Sequence, residues 1–192
     1  MQLLGLTGLA ASGKSTVANY LVEQHGFTRL SFAAPLKKML RTLDPYLSSD
    51  FDSELYRLSE LTEDYNETEL KSLFPEYRRL LQVLGTDCIR AIDEGFWVNA
   101  AAHQITNWVQ GKYVFDDTRF PNEAKLITDY NKWGLWNVKR VADAAADGAH
   151  ASEMFAGKMG ETQTLHNTGS FEHLFKQVDQ NLEFTFAGVK AA

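Results

Sequence analysis

The stretch Gly8-Leu9-Ala10-Ala11-Ser12-Gly13-Lys14-Ser15 constrains the fold more than any other part of the chain. It fits the pattern G-x-x-x-x-G-K-[ST], a loop whose backbone N–H groups cradle phosphate. The apolar run Leu3-Leu4-Gly5-Leu6 precedes it and reads as a buried strand. Val17, Ala18, Leu21 and Val22 follow at helical spacing, and Gly26 closes the segment. Strand, loop and helix start in succession bring unpaired N–H groups and the positive end of a helix dipole to one point, where both favour phosphate oxygens. Lys14 reaches β- and γ-phosphates, and the Ser15 hydroxyl suits a Mg²⁺ ion. The candidate phosphate contacts are therefore Gly8, Ala10, Ala11, Ser12, Gly13, Lys14, Ser15 and, in the first helical turn, Thr16.

Composition narrows the remaining choices. The chain has 192 residues, 44% of them apolar, which predicts one domain with a substantial core. A net charge of −6 argues against a nucleic-acid polymer as ligand, although a few local cations suffice for a nucleotide. The single cysteine, Cys88, excludes an internal disulfide and a Cys-based zinc site. It lies on an apolar helical pattern and reads as a core thiol. The start of the chain enters a strand directly, and no apolar run approaches about 18 residues, so a membrane span is not expected. The expected location is the cytoplasm, that of the host if the protein is viral.

Strand and helix patterns alternate along the chain. Residues 2–7 and 27–32 read as strands, 14–24 as a helix. Pro35 opens a helix with Leu36, Met39, Leu40 and Leu43 inward; Lys37, Lys38 and Arg41 on its other side are either a solvated face or contacts for an acceptor phosphate. From Asp50 to Glu76 nine acidic residues stand against two basic ones, so 46–76 reads as an exposed helical excursion rather than core. Residues 77–92 (Tyr77, Leu80, Leu81, Leu84, Cys88) and 96–109 (Val98, Ala101, Ala102, Ile105, Trp108, Val109 inward) read as helices.

The run Tyr113-Val114-Phe115-Asp116-Asp117-Thr118-Arg119 is a short strand ending in acids, the place where a phosphate-loop fold carries its metal-linked carboxylate. If strand geometry persists, Asp117 and Arg119 point the same way, suiting a metal and a phosphate, while Asp116 has the opposite phase. A helix from Pro121 to Gly134, a strand over 135–141, a loop or lid over 142–163, a short strand over 164–167 and a helix N-capped by Ser170 complete the pattern. Arg140, His150 and Lys158 are the cations available to the lid. The predicted class is α/β: a five-stranded parallel sheet flanked by helices.

With these pieces placed, the sequence resembles the phage-type deoxynucleoside monophosphate kinases, a branch of the P-loop nucleoside monophosphate kinases. The resemblance runs through Gly8–Thr16, Phe32-Ala33-Ala34-Pro35-Leu36-Lys37, Leu81-Gln82-Val83-Leu84-Gly85-Thr86-Asp87 with Arg90 and Trp97, Asp117-Thr118-Arg119-Phe120-Pro121-Asn122-Glu123, His150-Ala151-Ser152-Glu153 and Asn167-Thr168-Gly169-Ser170. It implies a single kinase domain over 1–192, with 46–76 as the arm that binds the monophosphate and 142–163 as the lid. It also implies ATP and Mg²⁺ as cofactors and γ-phosphoryl transfer to a deoxynucleoside 5′-monophosphate. One departure is that 142–163 contains no arginine, whereas lids of many such kinases are rich in it.

On this reading Lys14, Asp117 and Arg119 are catalytic, with Ser15 and Asp117 holding the metal. Lys37, Arg41, Gln82, Arg90, Trp97 and Arg119 meet the acceptor, and Arg140 joins the donor site. Trp97 either stacks on a base or fills the core. A homodimer is left open. Two other readings compete. A dephospho-coenzyme A kinase would need an acid just after strand 2, where this chain has Ser31-Phe32-Ala33-Ala34. A non-catalytic nucleotide-binding module would need no second cleft.

Overall fold

The first strand, β1 (Gln2–Thr7), is buried from Leu3 onward, as a strand flanked on both edges and covered on both faces must be. It feeds the phosphate-loop motif and then α1 (Lys14–His25), which Gly26 ends in a left-handed conformation. In the computed structural model, which describes residues 1–49, 52, 54–140 and 154–187, the chain continues through β2 (Thr28–Leu30), α2 (Ala34–Leu43), β3 (Tyr46–Ser48) and β4 (Leu55–Arg57). Helices α3 (Leu58–Asp64), α4 (Glu67–Leu73) and α5 (Pro75–Gln82) follow, the last running into a π-helical segment, Val83–Arg90. Then come α6 (Phe96–Ala102), β5 (Lys112–Phe115), α7 (Pro121–Tyr130), β6 (Leu135–Arg140), β7 (Gln163–Asn167) and α8 (Phe171–Phe186).

Five strands form one parallel sheet in the order β2-β5-β1-β6-β7. Period-2 alternation divides their side chains between two cores. Leu4, Leu6, Val114, Trp136, Val138 and Leu165 face Val17, Leu21, Leu174 and Val178 of α1 and α8. Leu3, Tyr113 and Phe115 face Ile105 and Ile127, the latter on α7. This is the α/β sheet expected from the sequence.

The chain divides into two compact units, Met1–Phe32 with the residues from Ala101 onward, and Ala33–Ala100. The first holds the parallel sheet. The second has its own core of Leu40, Leu47, Leu58, Leu61, Leu70, Phe74 and Tyr77. Within it β3 and β4 pair antiparallel, with Leu47 opposite Tyr56. Asn66 caps α4 by accepting from the Thr68 and Glu69 N–H groups, and Glu69 returns a carboxylate to the Asn66 N–H, 2.8 Å away.

Three readings of the sequence need correction here. The segment 46–76 is not merely an exposed excursion, since Leu47, Leu58, Leu61, Leu70 and Phe74 help build the second core. Cys88 is exposed rather than buried. It lies in the π-helical segment, whose i→i+5 bonding rotates residues off the face extrapolated from Tyr77 at 3.6 residues per turn. The helix read over 96–109 stops at Ala102, so Trp108 and Val109 are exposed instead of inward.

Candidate active site

The phosphate loop is shaped by backbone conformations that side chains resist. Gly8 and Gly13 have φ of 134° and 110°. A Cβ on Gly8 would lie 2.3 Å from the Val138 carbonyl oxygen, and one on Gly13 would lie 2.5 Å from Asn167 Nδ2. That Asn167 amide, at the end of β7, donates to the Ser12 carbonyl at 2.9 Å and braces the loop across 155 residues of sequence. Lys14 Nζ donates to the Gly8 and Leu9 carbonyls at 2.8 and 2.6 Å. The start of α1 has no side-chain cap and no acid in its first turn, so the positive end of its dipole favours an anion there. Residues Ala11–Thr16 line a cavity of about 240 Å³ there.

Beside this cradle, Ser15 Oγ donates to Asp116 Oδ2 at 3.4 Å. Asp116 follows the last residue of β5 and is only 8% exposed. Arg29, from β2, places Nη2 on the same carboxylate oxygen and 3.3 Å from Ser15 Oγ. Its Nη1 donates to Asn19 Oδ1 at 3.0 Å. A hydroxyl and a buried carboxylate sharing one point, already with a cation on the carboxylate, are the hard oxygen donors that suit Mg²⁺.

Asp117 is elsewhere. Its carboxylate accepts from Ser31 Oγ at 2.6 Å and from the Phe32 N–H at 2.9 Å, clamping the end of the segment Met1–Phe32. The Ser31 carbonyl in turn accepts from Gln104 at 3.0 Å. The expected pairing of Ser15 with Asp117 is therefore not built: the strand ends at Phe115, and the period-2 phase does not carry through Asp117. Arg119 is exposed, with its backbone N–H on Glu123 Oε2 at 2.8 Å. The buried Glu123 also accepts from the Phe120 N–H and so caps α7. Arg140, the last residue of β6, stands in register with Asn167. Thr7 Oγ1, just before the loop, donates to Glu161 at 2.8 Å, and Glu161 also accepts from the Gly157 and Met159 N–H groups. The expected lid, including His150, lies outside the described residues from 142 to 153.

The other candidates belong to the second unit. Lys37 Nζ is 3.3 Å from Glu67, which also pairs with Lys71 and accepts from Tyr77. Burial pushes the Glu67 carboxyl up, but Lys71 and Lys37 outweigh it and hold its pKa below the ordinary value. Burial, then the Glu67 charge, raises that of Tyr77. Arg41 is exposed, Gln82 ends α5 half-buried, and Arg90 ends the π-helical segment with Nη1 on the Glu94 carbonyl. Trp97 is 3% exposed and donates its indole N–H to the Gly85 carbonyl at 2.8 Å. It is buried as a core residue. Reading the sequence alone missed Arg29, Glu161 and the bracing part of Asn167, and it preferred Asp117 to Asp116.

A phosphate loop between β1 and α1, in a parallel sheet of this strand order, defines a P-loop kinase fold. No family model matches the chain. A protein of Acanthamoeba polyphaga mimivirus named "Putative deoxynucleotide monophosphate kinase" is 32% identical, the match covering 93% of this chain and 94% of that protein. The chain belongs to the deoxynucleotide monophosphate kinase family. The crystal structure of TT1252 from Thermus thermophilus is similar at a TM-score of 0.45 and 19% identity, covering 95% of this chain and 97% of that one.

Proposed function

We propose that this protein transfers the γ-phosphoryl group of ATP to a deoxynucleoside 5′-monophosphate, giving the diphosphate and ADP. The observation that carries the proposal is the cradle of Gly8–Ser15 with Asp116 at its metal side, in a chain of this family. The positive end of the α1 dipole and Lys14 bind the ATP phosphates. Ser15 and Asp116 would hold Mg²⁺, which would neutralise charge on the phosphates. An acceptor phosphate has a second pKa near 6, so at pH 7 it carries a nucleophilic oxygen and needs no strong base. The protein's task is to position two polyanions and offset their repulsion.

Arg119 and Arg140 in the first unit, and Lys37, Arg41, Arg90 and Gln82 in the second, are the residues proposed to meet the transferring or acceptor nucleotide. Gln82 offers a paired donor and acceptor to a base edge. Asp117 acts by positioning the Ser31–Phe32 turn. Residues 46–76 are proposed as the monophosphate arm and 142–163 as the lid. Among the described residues no helix is long and apolar enough to cross a membrane; the proposed site of action is the cytoplasm. A hydroxyl acceptor, as in dephospho-coenzyme A, would need a base. Asp117, the acid bonded to Ser31 and Phe32 just after β2, already accepts two hydrogen bonds in its clamp.

The test is ADP release from ATP and Mg²⁺ against each common deoxynucleoside and ribonucleoside monophosphate, with dephospho-coenzyme A as the competing acceptor. Turnover on at least one deoxynucleoside monophosphate is expected. Turnover on none of the monophosphates would overturn the proposal.

A further inference from the structure

Arg29 has no part in the phosphoryl transfer just described, yet its guanidinium touches both groups proposed to hold the metal. Nη2 lies on Asp116 Oδ2 and 3.3 Å from Ser15 Oγ, while Nη1 is tied to Asn19 Oδ1 on the next turn of α1. The two ends of the pair are unequally placed: the Asp116 side chain is 9% exposed and that of Arg29 is 40% exposed. Burying a carboxylate is costly unless a cationic or hydrogen-bonding partner accompanies it. A divalent cation at Ser15 and Asp116 would need the lone pairs that Arg29 now engages, and two cations on one carboxylate oxygen repel each other.

We propose that Arg29 is a resident counter-ion of the metal pole. It holds Asp116 and Ser15 in place before metal arrives, then yields the carboxylate to the incoming metal while Asn19 keeps it close. Its exposed flank gives it room to withdraw, which the buried acid lacks. Arg29 is thus a positioning residue that sets how much divalent metal the kinase needs. The inference rests on the reading of Ser15 and Asp116 as the metal pole.

The experiment uses Mn²⁺ as the probe, titrated by electron paramagnetic resonance into the full chain saturated with ADP, with melting temperatures taken in EDTA and in excess Mg²⁺. Arg29→Gln removes the competing charge and should lower the Mn²⁺ dissociation constant by about fivefold or more. It should also lower the melting temperature in EDTA and recover in Mg²⁺. Arg29→Lys keeps a cation and should stay nearer the wild-type constant than Arg29→Gln does. An unchanged or weaker Mn²⁺ affinity in Arg29→Gln, with equal melting loss in EDTA and Mg²⁺, would make Arg29 a plain brace and overturn the proposal. Asp116→Asn separates the two levels: with the ADP phosphates still available to Mn²⁺, it should weaken Mn²⁺ binding by about tenfold or more. If Mn²⁺ affinity is unchanged in Asp116→Asn, the metal pole itself is misplaced and this inference falls with it.

Discussion

Gly13 and Asn167 meet at one point, and a double-mutant cycle measures whether that contact shapes the phosphate loop. Asn167→Ala removes a single partly buried hydrogen bond, from Nδ2 to the Ser12 carbonyl at 2.9 Å. Such a bond is worth about 1 kcal/mol net. Gly13→Ala places a side chain at φ 110°, a conformation costing about 1–3 kcal/mol. Its Cβ would also stand 2.5 Å from the Asn167 amide nitrogen, so the amide must swing away and the same bond is lost. Gly13→Ala alone should therefore cost about 2–4 kcal/mol, the conformational strain plus the roughly 1 kcal/mol bond. With Asn167 already truncated, the added cost of Gly13→Ala should drop by that shared bond, leaving a coupling of about 1 kcal/mol. In a chain of this size each kcal/mol moves the midpoint by about 2–4 °C. Chemical denaturation and thermal melts of the four proteins give the cycle, and ATP affinity measured on the same set should couple in the same direction. Additivity to within about 0.3 kcal/mol would refute the reasoning, because the two residues would then not share a constraint.

Three further outcomes are expected. Asp116→Asn should cut turnover by about a hundredfold or more, while Asp117→Asn should chiefly lower the melting temperature; the opposite ranking would return the metal to Asp117. Trp97→Phe should cost about 1 kcal/mol by stripping the donor from the Gly85 carbonyl and leave KM for the monophosphate unchanged, whereas a raised KM at unchanged stability would mean the indole meets substrate. Because the Glu67 carboxyl is held low in the folded protein, its contribution is full above the unfolded value of about 4.3 and is lost as pH falls through the lower folded value. The stability gap between wild type and Glu67→Gln should therefore shrink from about pH 5 downward, and a gap flat with pH would contradict the pairing with Lys71 and Lys37.

What could be read in the sequence was local. The phosphate loop is eight consecutive residues between a strand and a helix, so motif and context were visible together. The sheet followed from apolar runs such as Tyr113–Phe115. Contacts between distant segments left no such trace. Arg29 sits in a three-residue edge strand between Thr28 and Leu30, and its partner Asp116 lies 87 residues on. The choice between Asp116 and Asp117 turned on whether strand phase persists one residue past Phe115, which is set by where the backbone bends. The hairpin of β3 and β4 was equally hidden, its strands being three residues each without the turn dipeptides that announce a hairpin. Cys88 failed for a geometric reason, because a π-helical segment breaks the helical period from which its burial was inferred.

The position of β1 in the sheet has a consequence for how the chain comes to exist. Its hydrogen-bonding neighbours are β5 and β6, which begin at Lys112 and Leu135. At about 5–20 residues per second, roughly 100 residues of synthesis, or about 5–20 s, separate this strand from its first partner. The unit Ala33–Ala100 is continuous and has its own core, so it can close during that interval. The strand that presents the phosphate loop must wait, apolar and unpaired, with Leu3, Leu4 and Leu6 open to other chains. A strand translated well before either of its partners is thus among the last elements to find its place, and a pause or truncation before Lys112 leaves a folded segment beside an adhesive strand.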